Sequence, residues 1–320
     1  MTNSTMAEMN SNLRQTPPLS RRGFLRAGAA AAVLAGIPNR GAASQGESAS
    51  SKQGEGQGLA YPIGVCDWMI LKRQKLGAFA RTAEIGADGL ELDMGGLGNR
   101  PTFESKLMDP VERRRFLDAA DEHGVKICSI AMSGFYAQDF ATRDIAPMVR
   151  DTINTMCLMD VRVAFLPLGV QGDLLKFPEK RPAIVDRLKR TGEMAEAAGV
   201  VIGIETAYDA AGETELLEDI GSPAIRSYFN FSNALQNGRD LHEELRTLGT
   251  ERICQIHATD EDGVWLQVNA RLDMPAVKAT LKDMGWQGWL VLERSRKADR
   301  ARDVVGNFGA NTRYLKKIFQ

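Results

Sequence analysis

The chain has 320 residues, 43% hydrophobic and 25% charged, with a formal net charge of −1. That length allows one large domain or two small ones around a buried core. A near-neutral charge excludes the basic field of a nucleic-acid binder, and no RNA- or DNA-reading motif occurs.

In chain order, the first segment reads as a targeting signal. LSRRGFLRAGAAAAVLAGIP (19–38) places Arg21 and Arg22 before Phe24-Leu25 and an Ala-rich apolar run from Ala27 to Ile37, and small residues at 41–44 follow. The run is about 11 residues, too short to span a bilayer. Residues 1–43 are therefore expected to be a twin-arginine signal peptide. The expected partner is the twin-arginine export machinery and the expected location the periplasm. Removing residues 1–43 takes away five arginines and one glutamate (Glu8), leaving 35 bases against 40 acids, a net charge of −5. That balance suits a neutral small-molecule substrate better than a phosphorylated one. SQGESASSKQGEGQG (44–58) is polar and low in complexity, so residues 44–60 read as a flexible linker. The four cysteines (66, 128, 157, 254) fall in apolar strand-like or helical runs with no zinc spacing, and are expected to be buried free thiols.

From Tyr61 to the end, short apolar runs alternate with stretches of helical period. The runs are IGVCDW (63–68), GLELDM (89–94), KICSIAM (126–132), RVAFLPLG (162–169), VVIGIET (200–206), RSYFNF (226–231), ICQIHA (253–258) and GWLVLE (288–293). Helical stretches such as DPVERRRFLDAADEHG, AIVDRLKRTGEMAEAAG and MPAVKATLKDMG lie between them, several ending in glycine (Gly86, Gly124, Gly199, Gly285) as helix C-caps do. Eight strand–helix units over residues 61–320 predict a single α/β domain, a (β/α)₈ TIM barrel. An open doubly wound sheet lacks support, because no GxGxxG follows the first strand.

In such a barrel the chemistry sits at the C-terminal strand ends. Glu205 and Glu293 close otherwise apolar strands, His257 closes the seventh, and Asn230 lies on the sixth between them. A buried carboxylate needs a partner or a cation. Glu205, Glu293 and His257 at three strand ends, with Asn230 between them, favour a divalent metal over structural ion pairs with nearby Arg or Lys. Mixed carboxylate and imidazole ligation suits Mn²⁺, Co²⁺, Mg²⁺ or Zn²⁺. Trp68, Asp93, Tyr136, Asn233, Asp260 and Arg271 are candidate substrate contacts: an aromatic face can stack on a ring, and polar groups bind hydroxyls. Asp260 is expected either to orient His257 or to lie in solvent.

These stretches resemble the xylose isomerase-like TIM barrels, the sugar phosphate isomerase/epimerase superfamily. The resemblance rests on GADGLELD, VIGIET, YFNFSNAL, the H-x-x-D of HATD, and GWQGWLVLE, and covers about residues 61–320. It implies a divalent metal bound by Glu205, Asn230, His257 and Glu293. Asn230 stands where the family usually has Asp, which implies weaker metal binding. It also implies proton abstraction next to a carbonyl through an enediolate, with Glu205 and Glu293 as base and acid. The expected substrate is a free sugar or keto-sugar. A 3-keto-glycoside lyase or hydratase using the same site, and a non-catalytic sugar-binding barrel, are the alternatives. A homo-oligomer is compatible with the sequence.

Overall fold

The computed structural model describes residues 61–320; the expected signal peptide and linker lie outside the described residues. Eight strands, β1 (Ile63–Cys66), β2 (Gly89–Asp93), β3 (Lys126–Ala131), β4 (Val163–Pro167), β5 (Val201–Glu205), β6 (Ile225–Asn230), β7 (Ile253–His257) and β8 (Leu290–Leu292), close in sequence order into one parallel barrel. The ring is shut by β1 pairing with β8, Val65 opposite Leu292. The helices are α1 (Gly77–Ile85), α2 (Pro110–His123), α3 (Ala146–Met159), α4 (Arg181–Ala198), α5 (Ala210–Ile220), α6 (Phe231–Gln236), α7 (Leu241–Arg252), α8 (Met274–Met284) and α9 (Val304–Phe319).

The strand alternation sorts two environments. Val65, Leu90, Leu92, Ile130, Leu166, Ile202, Ile204, Ile256, Leu290 and Leu292 face outward and share one core with helical Phe79, Phe116, Leu188, Leu245 and Phe308. The alternate residues fill the barrel, among them Cys66 and Val291 in one cluster, Phe165 and Tyr228 in another. Several are polar, among them Glu91, Ser129, Gln255 and His257. Gln255 donates to Ser129 (2.9 Å) and to the Tyr228 hydroxyl (2.8 Å), so these three inward polar groups satisfy one another.

Helix ends follow the expected chemistry. Gly86, Gly124, Gly199 and Gly285 each adopt the left-handed conformation at a helix C-terminus, as does Gly221 after α5. Asp109, Asp209 and Asp240 cap helix N-termini with their carboxylates. The α6 helix, which starts directly after β6, is not evident in the sequence and carries Asn233, one of the candidate substrate contacts. All four cysteines are free; Cys66 and Cys128 are buried, Cys254 is half-buried, and Cys157 is exposed, contrary to expectation. Cys157 lies on α3 at the edge of the buried set Val149, Thr152, Ile153 and Met156, where its side chain is open to solvent.

Candidate active site

Glu205, Asn230 and His257 are the last residues of β5, β6 and β7, and Glu293 follows β8 directly. Strand alternation therefore brings all four onto the same rim. Asn230 is the hub. Its Nδ2 donates to Glu205 Oε2 (3.0 Å) and to Glu293 Oε2 (3.2 Å). Its Oδ1 accepts the backbone N–H of Ser232 (3.0 Å), capping the first turn of α6. That cap fixes which end of the amide faces the site, since only an oxygen accepts an N–H.

His257 is fully buried, with Phe165 and Tyr228 rings against it at 4.7 and 4.6 Å. Its Nε2 lies 3.0 Å from Glu91 Oε2, and its Nδ1 lies 3.4 Å from Glu205 Oε2 and 3.8 Å from Glu293 Oε2. Burial alone pushes an imidazole down. Here the charges of Glu91 and Glu293, with the hydrogen bonds to Glu205 and Glu91, outweigh it and hold His257 up at about 10. It is an imidazolium near neutral pH, with both ring N–H groups directed at carboxylates.

Glu91 is a residue the sequence reading passed over. It sits mid-strand on β2, wholly buried, and its Oε2 also accepts from the Cys66 thiol (3.2 Å). Burial first, then Glu91 and Glu293, push that thiol well above its ordinary range. The Cys66, Glu91 and His257 donor atoms lie within 4.8 Å of one another. Glu91 Oε1 has no partner.

Tyr136 reaches the rim from the loop after β3, where its hydroxyl donates to Glu293 Oε1 (3.0 Å). Burial, then the charges of Glu205 and Glu293, raise it well above the usual phenol range, so it stays a donor. Its position depends on Gly169: a Cβ there would lie 2.6 Å from Tyr136 Cα and 2.8 Å from its carbonyl oxygen. Arg294, also absent from the expected set, follows Glu293 and places its Nε 3.8 Å from Glu293 Oε2. Tyr136, Glu205, Asn230, Asn233 and Arg294 line a cavity of about 520 Å³. A larger groove of about 680 Å³, lined by Trp265, Arg313 and Lys317, holds none of the strand-end residues.

The remaining expected substrate contacts are dispersed. Asn233 lines the cavity and donates to the Thr206 carbonyl (3.0 Å). Trp68 is half-buried and stacks on Phe165 at 6.3 Å. Asp93 is fully buried and is not in the cavity wall: it accepts from Ser133 and the Gly95 N–H (2.6 Å), beside Arg73 at 3.4 Å. Burial, outweighing those partners, raises its pKa. Asp260 neither orients His257 nor lies in solvent; it is buried and takes Arg271 Nε (3.0 Å) and Asn269 Nδ2 (2.8 Å). Arg271 is thereby committed to Asp260 and Glu261.

The donor set can be tested against the divalent ion that the resemblance implies. Glu205 Oε2, Glu293 Oε2 and His257 Nδ1 converge, two charges and one imidazole. The fourth position presents an amide N–H pair, because the oxygen of Asn230 is spent on α6. As arranged, the four side chains do not fit the ion.

Among known proteins, the sequence pattern of the xylose isomerase-like TIM barrel family matches residues 79–317. A 2-epi-5-epi-valiolone 7-phosphate 2-epimerase of an Actinoplanes species is 28% identical over 207 residues, 62% of this chain and 72% of the relative. A 3-keto-D-glucoside 4-epimerase from E. coli superposes with a TM-score of 0.61 at 14% identity, over 80% of this chain and 99% of that one. A D-psicose 3-epimerase from Clostridium cellulolyticum H10 does so with a TM-score of 0.62 at 12% identity, over 81% and 99%.

Proposed function

Because this chain belongs to the xylose isomerase-like TIM barrel family, we propose that it is a sugar isomerase or epimerase whose two strand-end glutamates move a proton next to a carbonyl. The observation that carries this is the placement of Glu205 and Glu293: carboxylates from β5 and from the end of β8, gathered on one amide and lining or adjoining one cavity. One of them, as the carboxylate, takes the proton from the carbon, and the other, as the carboxylic acid on the opposite face of the sugar, returns one. Return to the same carbon epimerises it; return to the neighbouring carbon isomerises the sugar. With a leaving group β to the carbonyl, the same enediolate would make the enzyme a lyase.

The substrate we favour is an uncharged sugar or keto-sugar. Of the cations of the cavity wall, Lys176 is held by Asp173 (2.8 Å), which leaves Arg294, 3.8 Å from Glu293 Oε2, as a single cation where a phosphate would call for a pair. One similar protein is an epimerase of 2-epi-5-epi-valiolone 7-phosphate and another of a 3-keto-D-glucoside, and the electrostatics favour a substrate of the unphosphorylated kind for this chain. Export through the twin-arginine route belongs to the same reading, since free sugars are what an exported enzyme meets.

The test is proton exchange. In D₂O, the protein incubated with ketohexoses and 3-keto-glucosides should wash deuterium into the carbon beside the carbonyl, followed by NMR. Glu205→Gln and Glu293→Gln should each slow it by about a hundredfold or more. Binding of a sugar without exchange would make the protein a binder and end the reading.

A further inference from the structure

Resting on that proton-transfer reading, we propose that this site works without a divalent ion: the Asn230 amide stands between the two glutamates, and the Arg294 guanidinium supplies the positive charge the reacting oxygen needs. Three hydrogen bonds fix the amide. Oδ1 takes the Ser232 N–H (3.0 Å), and Nδ2 gives to Glu205 (3.0 Å) and Glu293 (3.2 Å). For Oδ1 to face an ion the amide would have to turn over. That sets its NH₂ against the Ser232 N–H, two donors in opposition, and breaks both bonds to the carboxylates. Asn230 is only 5% exposed, so water would not replace what was lost. An aspartate at the same place meets no such conflict: one oxygen caps α6, the other faces the centre, and it brings a charge.

The amide does part of an ion's work. It draws two like-charged carboxylates to one nitrogen and holds them apart from each other's lone pairs. It carries no charge, so it cannot answer the negative oxygen that forms when the carbon loses its proton. Arg294 can. Its side chain lies in the cavity wall with Tyr136, Glu205 and Asn230, and its guanidinium makes no hydrogen bond among the described residues. The other cation of that wall, Lys176, is paired with Asp173 at 2.8 Å. In the step itself, a carboxylate takes the proton. The C–H electron pair becomes the carbon–carbon double bond, and the carbonyl oxygen takes the charge against the Arg294 N–H groups. Reprotonation reverses the flow and needs no oxidant or co-reactant.

The decisive experiment titrates Mn²⁺ alone, by electron paramagnetic resonance, into the purified full chain and into Asn230→Asp, an isosteric change, with circular dichroism confirming both folds. Asn230→Asp should bind one Mn²⁺ at least about a hundredfold more tightly than the parent, beyond the ten- to hundredfold that supporting residues command. A parent affinity within that hundredfold, or no gain in the variant, overturns the proposal. So does Co²⁺ bound with a sulfur-to-metal absorption band that Cys66→Ala removes, which would put an ion on Cys66, Glu91 and His257. Deuterium exchange into a keto-sugar supplies the second arm: it should persist in excess chelator and fall about tenfold or more in Arg294→Met, a loss of 1.4 kcal/mol or more of transition-state stabilisation. Exchange that dies in chelator and returns with Mn²⁺ overturns the proposal. Exchange absent under both conditions removes the proton-transfer reading itself, and the Arg294 role with it, while the Mn²⁺ titration still decides the metal.

Discussion

Replacing Glu91 with glutamine should change how His257 titrates, and the change can be bounded. His257 is wholly buried and held at about 10 against an ordinary 6.5, with Glu91 the first of the charges that raise it. The imidazolium binds its proton more tightly in the folded chain, so folding gains at low pH. This stability is fully present below about 6.5, the unfolded value, and is lost as pH rises through about 10. The interval of about 3.5 units, at 1.36 kcal/mol each, sets an upper bound of about 5 kcal/mol. Glutamine keeps an oxygen for the Nε2–H but removes the charge. A neighbouring charge is worth about 1–3 units, so Glu91→Gln should bring His257 down by that much and cost about 1–4 kcal/mol at pH 6. The cost should fade toward pH 10. The assay is direct because the chain holds three histidines: ring proton–carbon NMR follows each from pH 5 to 10, with urea unfolding at pH 6 and pH 9.5 beside it. A His257 that titrates near 6.5 in the parent, or that ignores Glu91→Gln, would refute the electrostatic account of the site.

Glu213, buried on α5, makes a second pH test: burial above all pushes its carboxyl up to about 7 from 4.5. Its favourable state is the protonated one, so its contribution is intact below 4.5 and lost as pH rises through about 7. Glu213→Gln should therefore be near neutral at pH 4 and stabilising by up to about 3 kcal/mol at pH 8 in urea unfolding. Tyr136→Phe removes the hydrogen bond to Glu293 Oε1 (3.0 Å), and a bond to a charged group is worth about 1.5–3 kcal/mol. Deuterium exchange should slow by about tenfold or more. Gly169→Ala, whose Cβ would press on the Tyr136 backbone at 2.6 Å, should impair exchange similarly and also lower stability by about 1–3 kcal/mol. Lysines in place of Arg21 and Arg22 should keep a reporter fused behind residues 1–43 inside the cytoplasm, read by fractionation.

Most strands were legible because both faces of a barrel strand are enclosed, so they read as apolar runs bounded by helix caps. The strand ends were legible for the opposite reason: Glu205 and Glu293 interrupt those runs where a charge has no structural use. Glu91 was hidden by the same alternation. GLELD looks like a strand with one wet face, and only closure of the barrel turns the glutamate's side into an interior facing His257. The pairing of Asp260 with Arg271 was equally hidden, because it joins residues 11 apart across an irregular loop, where no period connects them. Asn230 is the deepest case. Its identity is plain in the sequence, yet its chemistry depends on which end of the amide faces inward. That is decided by α6, a six-residue helix too short to announce itself, whose first turn needs an acceptor from the residue that ends β6. A helix start thus fixes the polarity of the site: it takes the oxygen, leaves the two glutamates facing a donor, and moves the burden of positive charge to whatever cation stands in the wall.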